Sequence, residues 1–371
     1  MTTTLGLGLD PLDVLFFRDG RPFTGAEQSV SGLPLPQTFA GAIRTALLRS
    51  IGCDFDVFGQ VVLTGVPFGE AVCGACAREH HWIGGVAVRG PWLARYTTSG
   101  FEICLTVPAT LQREKAGRGG ALSRLTPLPA GQLPGWSPPE DQQGLRPLWL
   151  KRLEPTEPAS GYLAHAGLER FLRGDEVAAN DIVPASELFD MDYRTGISIS
   201  PDRLVVEKSQ LFGRGFLALK QGVFLYGELL LPEGAPDSLW FDAIELLPFG
   251  GEGRHVSLRR FDQPFSWPSA DPRGGKEKPF LFMTTPCAFA AGWKPQSVDG
   301  HLTAAAVPGS VAFSGWDMAR RGPKQTRFAV QAGSVYFLES LPDGLTDSLA
   351  ETTEEQQQGW GCYLKGMWND E

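Results

Sequence analysis

The chain has 371 residues, of which 42% are hydrophobic and 20% charged, and its formal net charge is −9. This length exceeds the usual size of one compact core, so we expect two domains in an ordinary globular protein. The acidic balance argues against a free-standing nucleic-acid binder, because such proteins gain much of their affinity by neutralising phosphates with basic residues. It leaves open a protein that shares a short stretch of RNA with other subunits.

The spacing of apolar residues and cysteines indicates in which cellular compartment we expect the protein. No run of eighteen apolar residues is present, so we expect no membrane-spanning segment. We also expect no secretory signal, since the first ten residues lack a basic region followed by an apolar run. The six cysteines are irregularly spaced, which predicts no disulfide framework and favours a reducing cytoplasm.

The N-terminal third predicts a helix followed by two strands. Thr38 is a candidate cap for a helix over residues 40–50, which ends at Gly52. The apolar residues of this helix share one face, while Arg44 points elsewhere. Residues 86–107 alternate between apolar and polar side chains well enough for two strands.

The middle of the chain combines a long insertion with a helix and a hairpin. Residues 113–158 are rich in glycine, proline and glutamine and have no lasting period, which predicts a surface insertion. A helix is predicted over residues 164–172. Residues 194–212 are typical of a β-hairpin, in which ISIS and LVVE are strands on either side of a Pro-Asp turn.

The C-terminal part predicts a helix, a glycine-rich loop and a series of short strands. The helix covers residues 237–247 and leads into GGEGR at 250–254. Short strands follow between residues 255 and 339. Because strands flank helices in each half of the chain, we expect an α+β fold with the hairpin as the seam.

The glycine-rich loop is the first candidate binding site. Gly250, Gly251 and Gly253 allow positive φ angles and close approach of the backbone, so that amides can donate to phosphate oxygens beside the guanidinium of Arg254. The alternative is a tight helix-to-strand turn, which is favoured from the loop alone. The motif is neither a Walker loop nor a dinucleotide fingerprint, since no Gly-Lys-Ser/Thr follows and a predicted helix precedes it.

A second candidate site surrounds a predicted turn near the N-terminus. Arg18 and Arg21 lie beside Phe16, Phe17 and Phe23. Guanidiniums among aromatic rings can combine phosphate contacts with base stacking. From this pattern alone we favour the alternative, in which the phenylalanines belong to the core and an adjacent aspartate neutralises an arginine.

The predicted hairpin is the third candidate. Arg194, Arg203, Lys208 and Gln210 decorate its two strands, whose apolar residues include Ile199. An extended hairpin with one apolar side can wedge into a nucleic-acid duplex or pack on a partner protein. The pattern alone favours a core or partner-packing role.

Metal binding has a weak signal. Cys73 and Cys76, followed by His80, have half of the spacing of a zinc site, which Cys53 or Cys104 could complete. Two fixed ligands with loosely placed helpers are little support, so we expect free thiols and neither a metal nor another cofactor.

Catalysis has equally weak support. His255 adjoins the glycine-rich loop and could be the general base of a metal-independent ribonuclease. It has no identified acid partner, and we find neither paired carboxylates in a metal-binding run nor a G-x-S-x-G motif. We therefore expect no catalytic residues.

The order of these segments is more specific than any one of them. The succession resembles the RAMP-superfamily subunit of type III-B CRISPR (Cmr) complexes that lies at the 5′ end of the guide RNA. The resemblance covers nearly the whole chain, and its most specific part is SGWD with the following Pro-Lys pair and the AGSVYF strand. It rests on PLDVLFFRDGRPF, PLPQTFAGAIRTALL, RTGISI…EKSQLF, LPFGGEGRHVSL, SGWDMARRGPKQTRFAVQAGSVYFLE and GWGCYLKGMW.

The resemblance implies two ferredoxin-like (RRM-like) domains. They cover residues 1–190, with the insertion at about 113–158, and residues 214–371, and a thumb hairpin over 191–213 joins them. Such subunits bind the repeat-derived 5′ tag of the crRNA together with the large polymerase-like subunit and the backbone RAMP subunits. The thumb of related subunits contacts the guide–target RNA duplex. Cleavage and nucleotide synthesis belong to other subunits of the family, which implies a non-catalytic protein.

By position, the resemblance also implies which residues contact RNA: Arg18, Arg21, Arg44, Gly250, Gly251, Gly253, Arg254, Lys324 and Arg327. Trp316 is a candidate for base stacking, although a core position is favoured. Relatives tend to carry phenylalanine where this chain has Trp360, which bears on the packing of that loop. Two other functions stay open, namely a crRNA-processing endoribonuclease of the same superfamily that uses His255, and a scaffold that contacts only protein.

Overall fold

The computed structural model describes residues 3–18, 29–115, 121–129, 132–133, 135–138, 140, 144–199, 206–236, 244–270, 276–317 and 319–370. Of residues 197–199 and 206–212 it describes the backbone only. The α-helices in these ranges are α1 (Pro36–Ser50), α2 (Phe55–Leu63), α3 (Phe68–Ala75), α4 (His165–Leu172), α5 (Ala185–Leu188) and α6 (Thr353–Gln357). None of the helices in these ranges is long and apolar enough to cross a membrane.

Most strands are short. The strands are β1 (Thr3–Pro11), β2 (Ser29–Val30), β3 (Ala87–Thr97), β4 (Gly100–Thr106), β5 (Leu111–Glu114), β6 (Leu122–Arg124), β7 (Thr126–Pro127), β8 (Leu148–Trp149), β9 (Thr156–Pro158), β10 (Tyr162–Leu163), β11 (Ile182–Val183), β12 (Phe189–Ile199), β13 (Val206–Leu219), β14 (Val223–Leu231), β15 (Leu246–Pro248), β16 (His255–Phe261), β17 (Glu277–Met283), β18 (Leu302–Ala306), β19 (Ser310–Phe313), β20 (Trp316–Asp317), β21 (Gly322–Pro323), β22 (Arg327–Val330), β23 (Val335–Leu338) and β24 (Tyr363–Asn369). Helices and mainly antiparallel strands together confirm the predicted α+β class.

The chain forms two compact units, and each is assembled from three separate chain segments. Unit 1 comprises Met1–Pro91, Ser186–Pro264 and Ala312–Phe328. Unit 2 comprises Trp92–Ala185, Phe265–Val311 and Ala329–Glu371.

The main sheet of unit 1 contains the strands β14-β1-β16-β15 in that order, with antiparallel neighbours. In β1 leucines alternate with glycines, so Leu7 and Leu9 are both fully buried on one face of the sheet. On the other face, a side chain on Gly6 would come within 2.9 Å of the hydroxyl of Tyr226. In β1 the leucines therefore form the buried face of the strand, and the glycines lie on the face where the neighbouring strand leaves no room for a side chain.

Helix α1 packs against this sheet through Phe39. Its ring lies so close to Gly227 of β14 that a Cβ added to this glycine would be only 2.5 Å from ring atoms. The helix begins one turn earlier than predicted, because Pro36 occupies the first helical position, where an N–H is not needed. Thr38 lies inside the helix, so its predicted role as the cap is wrong. The predicted end is confirmed, with Gly52 at φ +68°.

Arg44 is buried, with 8% of its surface exposed. The prediction that it points away from the packed face of α1 is therefore wrong. Its guanidinium lies 4.1 Å from the ring centroid of Phe68, the first residue of α3. A position that looks polar on the isolated helix is interior because a second helix covers it.

Strands β12 and β13 form the predicted hairpin, which begins earlier in the chain than the pattern indicates. Antiparallel pairing runs from Phe189 to Ile197 of β12, and a bulge precedes Ile199. Strand β2 pairs in parallel with β13. Arg203 and the Pro-Asp turn lie outside the described residues, and the side chains of Ile199, Lys208 and Gln210 are likewise outside the description.

The segment before the glycine-rich loop differs from its prediction. Residues 237–243 lie outside the described residues, and Leu246–Pro248 form strand β15 where the sequence predicts the end of a helix. The register of β15 with β16 pairs Leu247 with Val256, which are both buried, whereas Leu246 is 53% exposed. This alternation is that of a strand, so the loop joins two antiparallel strands.

Unit 2 is organised around the sheet β18-β23-β17-β24. Phe280 and Phe282 of β17 are buried and contact Phe171 of α4, with ring centroids 5.1 and 5.5 Å apart. The position of α4 confirms the helix predicted over residues 164–172.

The segment predicted as a surface insertion contains several short strands of unit 2. Strands β6, β5 and β9 form one small sheet, and β7 pairs with β8. Leu122 is only 5% exposed, so part of residues 113–158 belongs to the interior. Strands of two to four residues are too brief to produce a periodic pattern in the sequence.

Candidate RNA interface

Two groups of basic residues in unit 1 lie on elements that the sequence singled out. The first, called here the arginine cluster, consists of Arg194, Arg214 and Arg254. The second, called the basic hairpin, consists of residues 312–328 and includes β20 and β21.

The arginine cluster is built on two buried phenylalanines. The rings of Phe16 and Phe216 are 5.3 Å apart between centroids, and 4% and 5% of these residues are exposed. Paired backbone hydrogen bonds of 2.8 Å between Leu15 and Leu217 bring the two rings together. Phe17 is buried as well, which confirms that Phe16 and Phe17 belong to the core.

All three guanidiniums of the cluster lie near these rings. Arg254 and Arg194 lie 4.8 and 5.2 Å from the centroid of Phe216, and Arg214 lies 5.7 Å from that of Phe16. A planar guanidinium packs favourably on an aromatic face. The rings therefore hold three positive charges at defined positions.

Asp13 links two of these arginines. Arg254 donates to its carboxylate at 2.8 Å, and Arg194 lies 3.6 Å from the same oxygen. The pKa of Asp13 is lowered, chiefly by the backbone N–H of Val14 and further by the two guanidiniums. Asp13 is therefore a carboxylate at neutral pH and ties the N-terminal segment to both the hairpin and the glycine-rich loop.

The remaining arginine charges are also matched. Arg214 pairs with Glu252 of the glycine-rich loop, and Arg194 donates to Asp192 at 2.7 Å. Three guanidiniums thus face three carboxylates, and the cluster is close to neutral. A phosphate group would compete there with carboxylates that are already in place.

The glycine-rich loop packs against Phe16. Gly251 donates its amide to the carbonyl of Phe16 at 2.8 Å, so the predicted contact of this amide with a phosphate would break an existing hydrogen bond. A side chain on Gly250, which has φ +86°, would come within 2.6 Å of the same carbonyl oxygen. Gly250 is therefore required by packing as well as by backbone conformation.

The loop has three further amides, which belong to exposed residues. Those of Gly250, Glu252 and Gly253 donate no hydrogen bond to another residue in the described part of the chain. Glu252 adopts φ +60° although it is not glycine. These three amides are the ones the loop can offer to an anion.

The basic hairpin concentrates positive charge. Four cations, Arg320, Arg321, Lys324 and Arg327, stand against one carboxylate, Asp317, which gives +3 in a chain of net charge −9. All four basic residues are exposed. The sequence singled out Lys324 and Arg327 and missed the two adjacent arginines, although the run ARRGPK contains all three charges near the tip.

The base of the hairpin is held by hydrogen bonds. Lys324 donates its amide to the carbonyl of Gly315 at 2.7 Å, and the hydroxyl of Ser314 donates to the carbonyl of Lys324 at 2.7 Å. The side-chain amide of Gln37, in the first turn of α1, donates to the carbonyl of Ser314 at 2.5 Å. These contacts fix the hairpin to helix α1 of the same unit.

Trp316 is 60% exposed, so the expectation of a core position is wrong. It pairs with Pro323 across the hairpin. Phe328, at the other end of the segment, is 67% exposed. The hairpin therefore displays aromatic rings together with its cations.

The remaining residues that the sequence singled out lie in different places. Arg18 is exposed, and Arg21 and Phe23 lie outside the described residues. Arg44, stacked on Phe68, is interior to unit 1 and separate from both basic groups. His255 is exposed, with Nδ1 2.9 Å from the carbonyl oxygen of Gly253.

The cysteines give two neighbouring thiols. The sulfurs of Cys53 and Cys76 are 3.6 Å apart, and burial, followed by the hydrogen bond with Cys53, raises the pKa of Cys76 to about 11. Cys73 is exposed and His80 is half-buried. Among the residues that the structure describes, no three His, Cys, Asp or Glu side chains are placed to hold a metal ion.

Comparison with known proteins gives one match over nearly the whole length. The model of the family described as CRISPR-associated protein (Cas_Cmr3) matches residues 7–368. No curated protein sequence matches the chain.

Two solved structures are similar at low sequence identity. A chain in the cryo-EM structure of the type III-B Cmr-beta bound to cognate target RNA is 15% identical, with a TM-score of 0.46, over 90% of this chain and 86% of that one. A chain in the crystal structure of the Csm3-Csm4 subcomplex of the type III-A CRISPR-Cas interference complex is 11% identical, with a TM-score of 0.41, over 91% and 94%. On the match across residues 7–368, the chain belongs to the Cas_Cmr3 family of CRISPR-associated proteins.

Proposed function

We propose that this chain is a non-catalytic RNA-binding subunit of a type III-B CRISPR (Cmr) effector complex and that it binds the 5′ tag of the crRNA. Membership of the Cas_Cmr3 family supports the assignment to a CRISPR complex. The observation that carries RNA binding is the basic hairpin, where four exposed cations lie within a short segment of an acidic chain. Such local charge can neutralise phosphates and release counterions even when the whole protein is acidic.

The proposal includes two ferredoxin-like domains and a thumb. Helix α1 packed on an antiparallel sheet through Phe39 supports the first domain. The long hairpin of β12 and β13 supports a thumb that contacts the guide–target duplex. The large polymerase-like subunit and the backbone RAMP subunits are the proposed protein partners.

The arginine cluster has a positioning role in this proposal. Through Asp13, it connects the N-terminal segment, the base of the thumb and the glycine-rich loop. Because its charges are already paired, we assign most phosphate contacts to Lys324 and Arg327 and to their neighbours in the basic hairpin. The cluster sets the direction in which the thumb leaves the sheet.

The experiment that tests RNA binding reverses charge on the hairpin. Lys324→Glu with Arg327→Glu is compared with Lys151→Glu with Arg152→Glu, two exposed cations of unit 2, in a reconstituted complex. The hairpin variant should lower crRNA affinity at least about tenfold. It should also reduce the slope of log affinity against log salt concentration by about two, which corresponds to two lost phosphate contacts. Equal affinity of the two variants would refute the role of the hairpin and favour a scaffold that contacts only protein.

The absence of catalysis is tested separately. The purified chain is incubated with repeat RNA, and His255→Ala is assayed beside it. We expect no cleavage by either protein, since His255 has no carboxylate or basic partner among the described contacts. Cleavage that is lost in His255→Ala would establish the endoribonuclease instead.

A further inference from the structure

We propose that Trp316 and Phe328 are stacking platforms for unpaired bases, so that the basic hairpin binds single-stranded RNA in preference to a duplex. This inference rests on the proposed RNA binding and adds the class of nucleic acid that the hairpin takes. The two residues are the most exposed tryptophan and phenylalanine in the described part of the chain.

The exposure of these rings has no explanation within the unit. In the part of the chain that the structure describes, most phenylalanine and tryptophan side chains are buried or half-buried, as is usual for large apolar residues. Trp316 and Phe328 leave 60% and 67% of their surface in water. Two such rings on one short segment are typical of a surface that another molecule covers.

The charges around the rings indicate the partner. The segment carries Arg320, Arg321, Lys324 and Arg327 against Asp317. The centre of a protein–protein interface is depleted of charge, whereas single-stranded nucleic-acid sites combine a cationic track with aromatic faces. A run of four cations with an exposed aromatic ring at each end therefore favours RNA over a protein surface.

The preference for unpaired bases follows from geometry. A base offers its flat face to a ring only when it is free of its neighbours in a helix, and double-stranded RNA presents mainly phosphates and ribose hydroxyls. Cations alone would bind either form. Trp316 and Phe328 are thus the residues that distinguish the two forms.

Internal contacts preorganise the basic hairpin for binding single-stranded RNA. The hydrogen bonds of Ser314 and Lys324 close its base, and Asp317 accepts from the amide of Arg320 at 3.0 Å near the tip. A side chain on Gly59 of α2 would lie 3.9 Å from Ala319, so the tip also rests near a helix. A segment that is already ordered loses little conformational entropy on binding.

The test uses the full chain and two probes, a short single-stranded RNA and the same strand annealed to its complement. Trp316→Ala with Phe328→Ala should weaken binding of the single strand by about tenfold for each ring removed and leave duplex binding unchanged. Trp316→Phe, which keeps a ring, should retain most of the affinity for the single strand that Trp316→Ala loses. Phe55→Ala is the control, since Phe55 is 42% exposed in a segment, residues 51–77, without Lys or Arg.

Several outcomes would overturn the inference. Equal losses for single-stranded and double-stranded RNA would show that the rings act through the shape or charge of the hairpin. Unchanged binding of both probes would show that the rings do not contact RNA, and loss of complex assembly with unchanged RNA binding would assign them to a protein partner. Thermal unfolding of the variants checks folding, and truncation at such exposed sites should shift it little.

The inference and the proposed function can fail separately. If Lys324→Glu with Arg327→Glu releases crRNA while the aromatic variant retains full preference for the single strand, RNA binding stands and stacking is refuted. If neither variant affects RNA, both are refuted.

Discussion

Replacing Gly250 by alanine would place a methyl group against the N-terminal segment on which the glycine-rich loop packs. The new Cβ would lie 2.6 Å from the carbonyl oxygen of Phe16 and 2.9 Å from Cε1 of Phe17. Both distances are far below an ordinary van der Waals contact, and one of the opposing atoms belongs to the backbone. The loop or the Phe16 segment would have to move.

The cost has two parts that a second variant separates. A positive φ costs a residue with a Cβ about 1–2 kcal/mol, and this applies to Gly250 at +86° and to Gly253 at +64°. Overpacking adds about 1–3 kcal/mol at Gly250 only, because a Cβ on Gly253 would meet nothing within 4 Å. Gly250→Ala should therefore destabilise unit 1 by about 2–5 kcal/mol, and Gly253→Ala by about 1–2 kcal/mol.

The measurement is urea unfolding with hydrogen exchange of the β16 amides, which reports on unit 1. Gly250→Ala should also loosen the ion pair between Arg254 and Asp13, because the loop carries Arg254 at its end. Equal destabilisation by the two alanine variants would refute the packing argument and leave only backbone conformation as the reason for glycine.

Two further predictions concern unit 2 and the thiols. The pKa of Asp370 is lowered, first by the hydrogen bond from Arg146, so its contribution to stability is present above the unfolded pKa of about 3.9 and is lost as pH falls through the lowered folded value. Asp370→Asn should cost about 1–3 kcal/mol at pH 7, against less than about 0.5 for the exposed Asp299→Asn control, and the difference should shrink and then vanish as the pH is lowered through the folded pKa of Asp370. Because burial raises the pKa of Cys76 to about 11, iodoacetamide should label the exposed Cys73 first at pH 7, with Cys76 accelerating up to about pH 11. Peptide mass spectrometry measures both rates, and equal labelling at pH 7 would contradict the raised pKa of the half-buried Cys76.

The local sequence pattern predicted the position of an element well where that element alone determines its own structure. Helix α4 and the end of α1 before Gly52 lie where the sequence predicts them, and the hairpin of β12 and β13 forms around the predicted segment but begins earlier. In these places helix stops and strand-forming residues act over a few neighbouring positions. Their effect does not depend on distant parts of the chain.

Predictions from the local sequence pattern were wrong where burial or exposure of a side chain depends on a distant element. Arg44 looks polar on α1 but lies beneath Phe68 of α3, and Trp316 looks like a core residue but is exposed. Leu246 fits a helical stripe as well as it fits a strand, and pairing with β16 decides for the strand. Burial and strand pairing are relations between segments, which no local period records.

By itself the sequence determined the family, the α+β class and the segments that carry glycines, arginines and aromatic rings. Only the tertiary structure decided which of these face outward. It neutralises the arginine cluster with carboxylates from three chain segments, and it leaves the cations of the basic hairpin, together with Trp316 and Phe328, in solvent. The reason is physical: charge balance and exposure depend on which segments meet in space, and each compact unit joins three stretches that are far apart in the chain.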